Sequence, residues 1–146
     1  MTDSAWEHTL RSRFAALDAA HWDAIAAARD ALRAPGPHAS WAGGEQREDG
    51  SFSMAYVVEG PALEAARRAM GEAELVIPFD WSAWLRESGL DRDSSRWATL
   101  SPEEGVRLWI SLVRADRFSE GTVLSAAENG LIVHVLDAVL RARPSA

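Results

Sequence analysis

The residues in this chain best suited to chemistry are Arg114-Ala115-Asp116-Arg117-Phe118-Ser119-Glu120-Gly121. Two guanidinium groups and two carboxylates surround one aromatic ring, at a point where one helical pattern stops and another starts. Guanidinium forks beside a helix N-terminus at Ser119 could hold a carboxylate or phosphate through paired hydrogen bonds. Arg114, Asp116, Arg117 and Glu120 are therefore the candidate ligand-binding set. The alternative is a salt-bridged helix corner, in which Asp116 and Glu120 neutralise the two arginines and fix the angle between the helices. That second reading is favoured, because ion pairs at surface helix ends are common and structural charge networks imitate functional ones. Phe118 is expected to plug the core beneath the corner.

Other constellations are weaker. The chain has seven tryptophans. Trp84 and Trp109 fall at helical positions and read as core residues. Trp41 and Trp97 fall in loops and are the candidate surface aromatics for a partner. His8, His21, His38 and His134 lack the paired spacing of a zinc site, so no metal is expected. No serine sits in a nucleophile elbow, and Gly43-Gly44 has neither the lysine nor the spacing of a phosphate loop. Glu103 and Glu104 are explained by helix capping and by an i,i+4 pair from Glu103 to Arg107. No catalytic residue and no cofactor are expected.

Composition narrows the partners. The net charge is −7, which repels a phosphate backbone, so nucleic acid is not the expected partner and another protein is. All 15 basic residues are arginine, and cysteine is absent, so disulfides and thiolate chemistry are excluded. The N-terminal residues lack the basic start and apolar core of a signal peptide, and no apolar run approaches the ~20 residues that span a bilayer. The expectation is a cytoplasmic protein away from membranes. A length of 146 residues suits one domain covering residues 1–146. Self-association is left open.

The elements that position these residues can be read in order. Trp6, Leu10, Phe14, Leu17, Ile25, Ala28 and Leu32 recur with helical spacing, broken near Asp18, which could cap a second helix or lie within one long one. Ala34-Pro35-Gly36-Pro37 ends the pattern. A turn-rich loop precedes Ser51 to Val58, where Phe52, Met54 and Tyr56 alternate with small residues, predicting a β-hairpin whose apolar face packs on helices. Pro61 to Gly71 reads as a helix, Leu75 to Pro78 as an extended run through the core, and Trp81 to Ser88 as a short helix capped by Asp80. Leu90 to Thr99 reads as a loop.

Ser101-Pro102-Glu103-Glu104 is a capping box that starts a helix running to about Ala115, with Arg107 and Arg114 on its polar stripe. Ser119 opens a further helix, ending at Asn129-Gly130. The last helix, Leu131 to about Arg141, keeps His134, Asp137 and Arg141 on its solvent side. The fold class expected is mainly α with a small β-hairpin (α+β): helix, hairpin, helix, short helix, then a C-terminal three-helix unit.

Phe79-Asp80-Trp81, Trp84-Leu85, Leu112 to Gly121 and Glu128-Asn129-Gly130 together resemble a bacterial family, domain-of-unknown-function family 6508. The resemblance covers roughly the last 70 residues, as motif plus context, and earlier only the order of helix, hairpin and helix. It implies a shared fold and carries no activity. The functional expectation is a non-enzymatic, acidic, protein-binding regulator of the immunity, antitoxin or defence-inhibitor type. The alternative is a domain that binds a small anionic ligand or phosphate, possibly as an enzyme, through Arg114 to Glu120.

Overall fold

A computed structural model describes residues 2–145, so the two ends of the expected domain, Met1 and Ala146, lie outside it. Among the described residues the chain forms seven α-helices, two short 3-10 segments and one two-stranded antiparallel sheet. The fold is mainly α with a small hairpin, as the patterning predicts.

The first helix, α1 (Asp3–Ala16), starts where the Thr2 hydroxyl accepts from the Ala5 amide, and it buries Trp6, Leu10 and Phe14 along one stripe. Leu17 is extended and ends it. Asp18 then caps α2 (Ala19–Arg33) through a capping box with His21, so the alanine-rich stretch is two helices rather than one. Trp22, Ile25, Ala28 and Leu32 face inward from α2. After the hairpin comes α3 (Pro61–Glu72), with proline in its first turn; Gly71 sits inside its last turn instead of ending it.

Leu75 and Ile77 are buried in the extended run that follows, and the Trp6 indole donates to the Ile77 carbonyl at 3.1 Å. Asp80 caps α4 (Trp81–Ser88), and Gly89, left-handed at φ 61°, closes it. The segment expected as a loop is wound into 3-10 turns, Leu90–Arg92 and Ser94–Thr99.

The Ser101–Glu104 capping box opens α5 (Pro102–Asp116) with both reciprocal bonds formed, at 3.1 and 2.9 Å. The two remaining helices are α6 (Thr122–Glu128) and α7 (Leu131–Leu140). Near the start of α5, Gly105 lets its backbone press on α7: a methyl group there would stand 2.8 Å from the Ala138 Cβ and 3.0 Å from the Val135 carbonyl. The buried apolar residues form one cluster fed by six of the seven helices, with Trp84 and Leu85 of α4 packed half-buried against it.

The polar side of α7 faces water only in part: Arg141 is exposed as expected, while His134 and Asp137 are half-buried. Asp137 bridges Arg29 at 3.0 Å and Arg33 at 2.9 Å from α2. His134 leans on Trp97, and Arg141 donates to the Leu100 carbonyl. Burial opposes the charge on Arg29, but its bonds to Asp137 and Asp30 outweigh that and hold its pKa above the ordinary value.

The hairpin departs most from expectation. Strand β1 (Ala39–Ala42) pairs with β2 (Tyr56–Glu59), with Trp41 opposite Val57 and Ala42 opposite Tyr56. Gly43 and Gly44, both at positive φ, turn the chain out of the ladder, and only an isolated bridge from Gln46 to Phe52 continues it. The strand therefore begins at Tyr56 rather than Ser51. Its inward positions are Val57 and Glu59, while Phe52, Met54, Tyr56 and Val58 are exposed.

Candidate functional site

The Arg114–Gly121 corner is built by the end of α5 and the start of α6. One Asp116 carboxylate oxygen accepts from the Gly121 amide at 3.2 Å and the Val123 amide at 3.1 Å. It thereby satisfies two donors that the start of α6 cannot pair internally. Gly121 has φ 101°, a conformation that side chains resist. A Cβ added there would also meet the Trp41 ring at 2.7 Å. That glycine is required both by the turn and by the indole seated on it.

Glu120 reaches in another direction. Its carboxylate accepts from the Val57 amide at 2.8 Å, which ties the free edge of β2 to the helices. Arg67 of α3 completes the attachment, holding Glu59 through two bonds of 2.6 Å and lying 3.8 Å from the other Asp116 oxygen. The bond to Glu59 keeps the Arg67 guanidinium above its ordinary pKa. Arg67 is a residue the sequence reading missed. Its partners lie on β2 and at the end of α5, so no local spacing signals it.

These contacts correct the salt-bridged corner. Asp116 and Glu120 are both engaged by backbone amides, and no carboxylate among the described residues pairs with Arg114 or Arg117. The physical reason is proximity. The turn at Gly121 brings unpaired amides to Asp116 before either flexible guanidinium can reach it. Phe118 is not a core plug either, being 84% exposed. The Phe118 ring stacks instead on Trp81, with centroids 6.3 Å apart and planes 21° from parallel. A groove of about 320 Å³ lies between the Pro78–Trp81 segment and the end of α5, lined by Ile110, Arg114, Arg117 and Phe118.

The two candidate surface tryptophans separate. Trp41 is half exposed, with part of its ring over Gly121. Trp97 is buried, and its indole donates to the Leu90 carbonyl at 2.7 Å, so it is a core residue of the 3-10 segment. The expected Glu103–Arg107 pair is absent as well. Arg107 is buried, with its guanidinium over the rings of Trp6 and Phe79 at 4.1 and 4.9 Å, and its carboxylate partner is Asp3 at 3.5 Å. Flanking aromatic faces supply part of what water would otherwise give a buried cation.

Of the sequence-derived site residues, Arg114 and Arg117 share one groove, while Asp116, Glu120 and Trp41 form the joint between hairpin and helices. Among the described residues no group of three or more histidine and acidic side chains is placed to hold a metal ion. No single helix among them is long and apolar enough to cross a membrane.

Fold and site together define a mainly helical protein with a small hairpin clamped to the helices by Glu120, Arg67 and Trp41. Residues 17–145 match a family of unknown function, DUF6508, and the chain belongs to that family. The match begins at Leu17, so it takes in α2, the hairpin and α3 as well as the C-terminal helices where the resemblance is most visible by eye. No curated protein and no solved structure matches the chain.

Proposed function

We propose that this domain is a regulatory binding protein whose target is another protein, and that the outer face of the hairpin is the contact surface. The observation that carries the reading is a row of apolar side chains left in water: Phe52 at 66%, Met54 at 87% and Tyr56 at 51% exposure, continued by Val58. Scattered apolar residues on a surface are ordinary, but exposed ones at every second position from Phe52 to Val58 are concentrated in one short stretch of chain, as at an interface. Aromatic and methionine side chains are also the types enriched at interface centres.

The charge around this row points to the partner's chemistry. Glu45, Glu48 and Asp49 stand exposed in the adjoining loop and outnumber its one exposed cation, Arg47, on a chain of net charge −7. A partner with an apolar centre and a basic rim complements both, and the opposite charges speed its encounter.

The test is affinity capture from the native host with the wild-type chain and with the Met54→Asp/Tyr56→Asp double variant, after checking that both have the same melting temperature. The expected result is a specific protein captured by the wild type and at least about tenfold depleted with the variant, since hot-spot losses commonly exceed 1.4 kcal/mol. Equal capture by both chains overturns the assignment of the face. A wild-type dimer in light scattering that the same substitutions dissociate would replace the foreign partner with a second copy.

A further inference from the structure

We propose that the groove between the Pro78–Trp81 segment and the end of α5 is a binding site for a small anion carried on a ring, an aromatic carboxylate or an aromatic phosphate monoester. Three independent observations meet there. In a chain of net charge −7, Arg114 and Arg117 line the same groove with no carboxylate among the described residues paired to either, because Asp116 is held by Gly121 and Val123 and Glu120 by Val57. Two guanidinium forks without counter-charges are the donor set that planar anions take.

The second observation is aromatic. Phe118 leaves 84% of its surface in water while its ring lies nearly parallel to that of Trp81. The remaining walls, Pro78, Phe79 and Ile110, are apolar. A bare inorganic anion uses none of that surface, whereas a ring does, by stacking on Phe118 and covering the apolar floor. The third is size. A volume of about 320 Å³ is at the small end of ligand sites, which run from about 300 to 1,000 Å³, so one or two rings are what it admits.

The end of α5 supplies a competing effect. Carbonyls at a helix C-terminus attract arginines and disfavour anions. The Arg117, Phe118 and Ser119 amides already bond to the carbonyls of Arg114 and Ala115, and the residual dipole is weaker than one charge-assisted hydrogen bond. The dipole accounts for arginines in the last turn but not for an exposed phenyl ring stacked beside them.

The experiment uses the full ¹⁵N-labelled chain at low ionic strength, titrated separately with phenyl phosphate, benzoate and inorganic phosphate. The Trp81 indole N–H is assigned by its loss in Trp81→Phe. At least one aromatic anion is expected to give saturable shifts at Trp81 with a dissociation constant of roughly 1 mM, in keeping with so small a ligand. Inorganic phosphate is expected to bind about tenfold more weakly, for want of ring contacts. Arg114→Gln with Arg117→Gln is expected to weaken the aromatic anion by about tenfold or more. Phe118→Ala should abolish the preference for the ring and leave inorganic phosphate unchanged.

Arg117 and Phe118 are exposed, so their single variants test the site even if the double variant folds poorly. The proposal is overturned if neither aromatic anion saturates by about 20 mM, if the arginine variants bind as the wild type does, if the shifts centre on another indole, or if inorganic phosphate binds as tightly as the ring-bearing anions. The site is separate from the hairpin face, and Met54→Asp is expected to leave phenyl phosphate binding intact.

Discussion

Asp116 stands next to Arg117 in sequence and two residues from Arg114, and it bonds to neither. Its carboxylate takes the amides of Gly121 and Val123 instead. Adjacent opposite charges suggest a pair, yet backbone donors at a helix start are fixed in place, while a guanidinium must give up rotamer freedom to be held. The residue types at the corner were legible in the sequence and their partners were not. Arg107 repeats the lesson, since its burial depends on Trp6 and Phe79 arriving from distant parts of the chain. The corner makes a specific prediction. Asp116→Ala leaves two amides without their acceptor and is expected to cost about 1–3 kcal/mol in urea unfolding, whereas Arg117→Gln, removing an unpaired surface charge, is expected to change stability by less than about 0.5 kcal/mol. Equal costs would mean that the arginine, and not the amides, is the partner that matters.

Helix starts capped by a side chain were the most readable elements, because capping chemistry is local, whereas α6, expected to open at Ser119, begins at Thr122 behind Gly121 with no side-chain cap. Ser101–Glu104 and Asp80 do what their spacing predicts, and Asp18 takes the one of its two open readings in which it caps a second helix. Gly105 is the opposite case, since nothing near it in sequence shows that α7 passes within contact of its backbone. The α2 cap also sets a pH dependence. The His21 amide bonded to Asp18, with the His21 ring beside it, holds the Asp18 carboxyl below the ordinary aspartate value of 3.8. A carboxyl with a depressed native pKa adds stability that is fully present above its unfolded pKa and is lost as pH falls through the native one. Asp18→Asn caps comparably but does not titrate. The stability difference between wild type and Asp18→Asn, measured by urea unfolding, is therefore expected to hold steady down to about pH 5 and to shift against the wild type below about pH 4. A difference that stays flat to pH 3 would show that the carboxylate charge adds nothing to the cap.

At the scale of the whole molecule the hairpin and the helices behave as body and appendage. The alternation of Phe52, Met54 and Tyr56 predicted a strand with its apolar face packed on helices; the strand starts only at Tyr56 and that row lies in water, because period-two spacing carries no information about what covers a face. Which face turns inward depends on Glu120, Arg67 and Trp41, which clamp only the base of the hairpin. Beyond Ala42 and before Tyr56 the chain bonds to itself, as in Gly44 to Ser53 and Arg47 to Ser51, and no hydrogen bond among the described residues joins this tip to a helix. Ala42 and Tyr56 are register partners, so a two-residue Asn-Gly turn can join them without moving the base. Replacing residues 43–55 by Asn-Gly is therefore expected to leave the helical circular dichroism unchanged and the melting temperature within about 4 °C of the wild type, equivalent to at most about 1 kcal/mol. Partner capture is expected to fall with it, since Phe52 and Met54 are removed, while phenyl phosphate still binds at Arg114 and Arg117. A cooperative loss of helix on shortening would mean that the tip supports the core, and would turn the exposed row from a contact surface into a structural one.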